Sequence, residues 1–307
     1  MEQRLTTKQL VANAIGIGHA EILKKLLGQA SSEDILSEGK LLLCLEAACE
    51  SGYADCVKAL FDQDVLAVTA GENIWRALCI ASRSGHSDIV ELLLQKADNT
   101  FDVNRGGLNG DTALHLASHC GHVGVVKTLL DHAVKLDVNA KKDNGKTALH
   151  EASLWGHGGV VKVLLRHAVD LDVDAEDNYG NAPLHVAASE GLSEVVKMLL
   201  YHSDSNVNEK NLVGSTALHE AARRGHATVV RELLIHFRLN INAKNDNGNT
   251  ALHQAAWAGH AEVVKALLGH EDLDLHIRNK YGETAIYIAQ NKGFNKGLRI
   301  LEGAGAY

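Results

Sequence analysis

Eighteen histidines in 307 residues are the first chemistry in the chain, because imidazole ligates zinc and moves protons near neutral pH. Their spacing points elsewhere. His115, His150, His185, His219 and His253 each follow a leucine, and His19, His86, His122, His157, His226 and His260 each follow a glycine. His132, His167, His202, His236 and His270 each close an apolar run, so sixteen of the eighteen recur in register. A zinc site draws unlike ligands together from separate segments, whereas like residues one period apart do not converge. The five cysteines, Cys44, Cys49, Cys56, Cys79 and Cys120, lack CxxC spacing. Cys120 is expected to be the most exposed thiol, with His119 as its neighbour, but adjacent helical side chains point about 100° apart and do not form a nucleophile–base pair. Glu271 and Asp272 read as solvated turn carboxylates, and no P-loop, GxSxG elbow, HExxH or HRD-type set occurs. The sequence therefore assigns no catalytic residue, no cofactor and no metal.

Composition narrows the class further. Hydrophobic residues reach 46% while aromatics reach 4%, so Ala, Leu and Val carry the apolar content, which suits close helix contacts. A net charge of −8 argues against a general attraction to nucleic-acid phosphates. No run of about 18 apolar residues is present, and MEQRLTTKQL has no signal-peptide core. With unpaired thiols and no Asn-x-Ser/Thr acceptor, the expectation is a soluble cytoplasmic chain, the nucleus being open to it as well, with no membrane partner.

The elements that hold these residues emerge when the chain is aligned with itself. TALHLASHCGH from Thr112, TALHEASLWGH from Thr147, APLHVAASEGL from Ala182, TALHEAARRGH from Thr216 and TALHQAAWAGH from Thr250 are one phrase. Their leucines, Leu114, Leu149, Leu184, Leu218 and Leu252, are 35, 35, 34 and 34 residues apart. The register continues forward to Ile286 and back to Leu78, Leu45 and Val11, which makes nine units. In each, a small residue such as Ala117 or Ala221 lies on a short first helix, and a glycine four residues later ends it. Val-Val then Leu-Leu, as in Val125-Val126 and Leu129-Leu130, forms one face of a second helix. Asp143-Asn144-Gly145 and Asp246-Asn247-Gly248 are turns between units. One such unit cannot cover its apolar face, so neighbours must stack.

The recurring T-[AP]-L-H, Gly-His and Val-Val-x-x-Leu-Leu strings resemble the ankyrin repeat family over the whole chain. The resemblance implies an all-α ankyrin-repeat solenoid of helix-turn-helix pairs with projecting hairpin-like loops, stacked in a curve. It further implies a single domain over 1–307, with repeats near 4–37, 38–70, 71–106, 107–141, 142–176, 177–210, 211–244, 245–278 and 279–307. The histidine after each repeat leucine would bond the adjacent loop. Three departures stand out: the first three units lack T-[AP]-L-H, proline survives only as Pro183, and the 36-residue step from Leu78 to Leu114 implies a longer loop in KADNTFDVNRGGLNGD.

Family members are mostly protein-interaction modules that use the concave face of the first helices and the loop tips. There the residues that break the repeat carry the information. The pair before each helix-ending glycine includes Arg83, His119, Leu154-Trp155, Glu190, Arg223-Arg224, Trp257 and Lys292. Trp75, where a loop turns into a first helix, and the loop-tip residues Leu108, Tyr179, Leu212 and Tyr281 join the same side by analogy. Trp and Arg are enriched in binding hot spots. The bland alternative folds each tryptophan onto a neighbouring repeat. The expected partner is another protein, presenting an extended segment with apolar anchors and an acidic group. An enzyme using the groove as its active site, and nucleic-acid binding through Arg223-Arg224, are the alternatives; the latter would weaken steeply with salt.

Overall fold

The computed structural model describes residues 7–29, 38–62, 70–97, 101–202 and 205–305. The expected repeat limits at residues 4, 37 and 307, and positions 98–100 of the long third loop, lie outside the described residues. Eighteen α-helices and no strand occur among the described residues. The chain divides into two compact units, residues 1–142 and 143–307.

In the first unit the helices pair as α1 (Thr7–Gly16) with α2 (Ala20–Gln29), α3 (Glu38–Ser51) with α4 (Ala54–Phe61), α5 (Ala70–Ser84) with α6 (Ser87–Lys96), and α7 (Ala113–His119) with α8 (Val123–His132). First helices pack on first helices, α1 on α3 on α5 on α7, and second helices likewise, α2 on α4 on α6 on α8. The second unit repeats this two-layer scheme. Its first layer is α9 (Ala148–Leu154), α11 (Pro183–Ser189), α13 (Ala217–Arg224), α15 (Ala251–Ala258) and α17 (Ala285–Asn291). The second layer is α10 (Gly158–His167), α12 (Ser193–Leu200), α14 (Ala227–Leu234), α16 (Ala261–Leu268) and α18 (Asn295–Gly303).

Small residues set the first layer's spacing. Ala117, Ala152, Ala187, Ala221, Ala255 and Ala289 are all 0% exposed, so a bulkier side chain there would push neighbouring repeats apart. In the second layer Val160, Val161, Leu164, Val229, Val230 and Leu233 are fully buried, while Leu165 and Leu234 stay half-exposed. Truncating one such leucine to alanine costs about 2–5 kcal/mol. The glycine that ends each first helix, at 18, 52, 85, 121, 156, 191, 225, 259 and 293, has φ between 66° and 89°, the left-handed region that only glycine enters freely. A second constraint acts at Gly225: a Cβ there would lie 2.7 Å from the His260 ring of the next repeat. The same stacking sets His226 on Gly191 and Tyr53 on Gly18.

The divergent early units have longer first helices. α3 and α5 run to 14 and 15 residues, against seven or eight where Thr starts the helix. At the positions that match Thr112 these units carry Leu43 and Arg76, so no threonine starts the helix there, and each begins earlier, directly after Ser37 and Thr69 in the sequence. Trp75 consequently lies more than a turn inside α5 instead of at its start. The expected longer loop contains a 3-10 turn at Leu108–Gly110, in which Asn109 has φ 63°.

Successive loops of the second unit are joined by main-chain bonds: Asn178 N–H to Asn144 C=O (3.0 Å), Leu212 to Tyr179 (3.0 Å), Asp246 to Val213 (3.1 Å) and Lys280 to Asn247 (3.0 Å). A side-chain ladder runs beside them. The Asn208 amide donates to Arg238 C=O (2.7 Å) and accepts from Asn240 N–H (2.8 Å), and Asn242 does the same with Asp272 and Asp274. In the first unit Asn104 spans Lys135 and Asp137 in the same way.

Candidate partner-binding surface

Four of the histidines that follow a repeat leucine, His150, His185, His219 and His253, are fixed by bonds at both ring nitrogens. Nδ1 accepts from the main-chain N–H of the helix-starting residue, as at Thr147–His150 (3.1 Å), Ala182–His185 (3.1 Å), Thr216–His219 (3.2 Å) and Thr250–His253 (3.2 Å). Nε2 faces a carbonyl of the next loop: His150 to Asn181 (2.8 Å), His185 to Ser215 (3.0 Å), His219 to Asn249 (2.9 Å) and His253 to Glu283 (3.1 Å). An amide donor at one nitrogen and a carbonyl at the other leave only the neutral Nε2–H form. Burial, opposed by these carbonyl bonds, holds His185, His219 and His253 below the ordinary histidine pKa. Such rings clamp repeat to repeat and have no nitrogen left for substrate.

Four of the six histidines after the glycines bond the repeat before them. His86, His122, His226 and His260 point Nε2 at Glu50, Arg83, Ser189 and Arg223 C=O of the preceding repeat, at 2.8–3.1 Å. The cysteines among the described residues are free, and burial raises their pKa, to about 12 for Cys49 and Cys79. Cys120, expected to be the most exposed thiol, is half-buried at the C-cap of α7, as is Cys79 within α5, while Cys44, Cys49 and Cys56 are buried; the Cys120 thiol pKa is raised by burial, with Arg83 opposing.

With the frame accounted for, the irregular side chains define a surface on the second unit. Trp257 lines one depression of about 400 Å³ with Arg223, Tyr281, Lys292 and the buried Ile288. The Lys292 ammonium stands 4.8 Å from the Trp257 ring centroid, a cation–π contact worth about 0.5–1 kcal/mol at an exposed site. The next depression, about 430 Å³, is lined by Leu154, Tyr179, Glu190, Leu212, Arg223 and Arg224. Arg223 borders both, so the two form one run along the first helices and loop tips.

Arg223 is not a free cation. Its Nη2 and Nε donate to Glu220 Oε2 at 2.6 and 3.2 Å, one turn back on α13. Arg224 and Lys292 have no carboxylate partner among the described residues. The loop tips are strongly exposed, Tyr179 by 71%, Leu212 by 70% and Tyr281 by 73%. Trp155 and Trp257 are 55% and 57% exposed, so neither indole is sealed between layers. Trp155, at the end of α9, lines neither depression.

On the first unit, Trp75, Arg83 and Leu108 meet around a depression of about 330 Å³. Trp75 is half-buried, its Nε1–H donates to Arg105 C=O at 2.9 Å, and the Arg105 guanidinium lies 4.5 Å from its ring centroid. Here the bland expectation for a tryptophan holds in part, since the indole braces the neighbouring loop. His119 is exposed at the end of α7 and lines no depression among those described.

Sequence reading missed the asparagine ladder and the pairing of Arg223 with Glu220. The ladder had a visible signal: Val103-Asn104, Val207-Asn208 and Ile241-Asn242 recur just after the second helices. Glu220 sits three residues before Arg223, a spacing that favours ion pairs on one helix face.

The family model described as ankyrin repeats (3 copies) matches in overlapping segments, 10–105, 98–177, 136–211, 184–279 and 218–305. Among solved structures, the ankyrin repeat domain of Bcl-3, titled a unique member of the IkappaB protein family, aligns with 26% identity and a TM-score of 0.65. The alignment covers 74% of this chain and 97% of that domain. No curated protein sequence gives a significant match. No helix among the described residues is long and apolar enough to cross a membrane.

Proposed function

Because the chain belongs to the ankyrin-repeat family, we propose that it is a scaffold, adaptor or inhibitor that holds an extended segment of another protein against its first helices and loop tips. The observation that carries this is the continuous run of depressions on the second unit, where exposed Trp257, Tyr281, Tyr179 and Leu212 alternate with Arg224, Lys292 and Glu190. Aromatic anchors beside charged groups, on a rigid frame, suit a bound segment with apolar side chains and at least one acid. Likeness to the Bcl-3 domain, titled a member of the IkappaB family, supports a protein partner over a small molecule. Unpaired, largely buried thiols fit a reducing compartment, the cytoplasm or the nucleus.

The test uses the whole chain immobilised as bait in lysate of its source cell, with captured proteins identified by mass spectrometry. Replacing Trp155, Arg223 and Trp257 together by Ala removes two exposed indoles and a groove-lining guanidinium while leaving the buried frame intact. The expected result is loss of the captured partner with unchanged helical circular dichroism. Retention of the partner by the folded triple variant overturns the assignment of this surface.

A further inference from the structure

The depression on the first unit has a charge balance unlike that of the second. Three carboxylates line it, and each faces a cation: Glu46 with Arg76 at 2.8 Å, Glu72 with Arg105 at 3.6 Å, and Asp111 with Lys142 at 2.7 Å. Arg83 lines it as well, is exposed, and has no carboxylate partner among the described residues. Its own main-chain oxygen is held by His122 at 2.8 Å, so the base of the side chain is fixed while the guanidinium is left to solvent. The floor is apolar. Ile80 and Leu116 line it with Cys79, whose thiol burial raises to about 12, so it remains protonated. Leu108, 90% exposed, lines it next to Gly107, which lies against the Trp75 ring, and an exposed leucine beside an apolar floor is surface that a ligand would cover.

The wall is already in place. Trp75 is tied by its Nε1–H to Arg105 C=O and stacked under the Arg105 guanidinium, so no indole ordering is left for a ligand to impose. We infer that this depression takes an aliphatic side chain carrying an adjacent carboxylate, from an acidic–apolar segment of a partner protein, with the side chain seated on Ile80 and Leu116 and the carboxylate paired to Arg83. The inference rests on reading the chain as a binder of protein segments, and it adds a pocket separate from the depressions of the second unit.

Two small probes test it on the full, isotope-labelled chain by NMR: N-acetyl-L-leucine, which carries the carboxylate, and N-acetyl-L-leucinamide, which does not. The expected result is a saturable shift of the Trp75 indole N–H and Ile80 methyl signals, with the carboxylate probe binding about threefold more tightly, the scale of one exposed ion pair. Arg83→Gln, a surface change that keeps the His122 bond to the main chain, should bring the two probes level. Leu108→Glu should weaken the carboxylate probe more than the amide. Equal affinity of the two probes for the unaltered chain, no saturable shift at Trp75, or an unchanged preference in folded Arg83→Gln overturns the proposal. None of these outcomes depends on Trp155, Arg223 or Trp257, so failure here and failure of the capture experiment are separately visible.

Discussion

Nδ1 of His185, His219 and His253 faces a main-chain N–H, so a proton arriving there meets another hydrogen and breaks the bond that starts its helix. The folded-state pKa of these rings is accordingly below the ordinary value near 6.5, chiefly through burial. An unfolded chain takes up protons on these residues first as pH drops. Their stabilising contribution is therefore full above about pH 6.5 and is lost as pH falls toward and through their folded pKa values. We expect the urea midpoint of the chain to hold steady from pH 8 to 7 and to fall between pH 6.5 and 5, before most carboxylates titrate. His219→Gln should flatten that decline. A midpoint independent of pH over this range would mean that the rings are not held neutral. Single-letter periodicity showed that these histidines were structural, because sixteen in register cannot all be ligands. It did not show which atom each ring holds, because that depends on a loop about 30 residues away.

Between neighbouring helices, the contrast between repeats is a matter of caps. Thr216 and Thr250 pair their hydroxyls with Nδ1 of His219 and His253 at 2.9 and 2.8 Å, whereas Ala182 has no hydroxyl and leaves α11 with the histidine half of the clasp plus Pro183 in its first turn. Ala182→Thr should stabilise the chain by about 0.5–1 kcal/mol, and Thr250→Ala should destabilise it by about 1 kcal/mol, both read as shifts in thermal midpoint. An Ala182→Thr variant less stable than its parent would show that the buried site lacks room for the hydroxyl and methyl. Helix pairs, left-handed glycines and the small-residue layer were all legible, since each follows from a residue type at a fixed offset. The extent of α3 and α5 was not, because Leu43 and Arg76 at the repeat's usual threonine position say only where a helix is not forced to begin, and Ser37 and Thr69 lie outside the repeat register. Trp75 was misplaced for that reason, and its tie to Arg105 spans 30 residues that no local pattern connects.

For the chain as a whole, stability is the sum of repeat and neighbour contributions, so it need not be uniform. The second unit has the histidine clasps, the loop-to-loop main-chain bonds and the asparagine ladder together, whereas α1–α6 of the first unit lie in repeats without T-[AP]-L-H. Amide hydrogen exchange should therefore be slower in α11–α16 than in α1–α4 by about tenfold or more, the equivalent of roughly 1.4 kcal/mol in local opening. Uniform protection across both would imply that the clasps add little. The positions that break the repeat, proposed above as the binding face, could be picked out in the sequence. Their grouping could not, because Arg223 borders two depressions whose other walls come from loops and helices about 30 residues away on either side. His86, His122, His226 and His260 fasten onto Glu50, Arg83, Ser189 and Arg223 through the main-chain oxygen alone. Every amino acid supplies that oxygen, so the side chains at Glu50, Arg83 and Ser189 are open to randomisation, and Arg223 is as well once Glu220 is varied with it. A library varied there, with the histidines kept, could yield new specificities on an unaltered backbone.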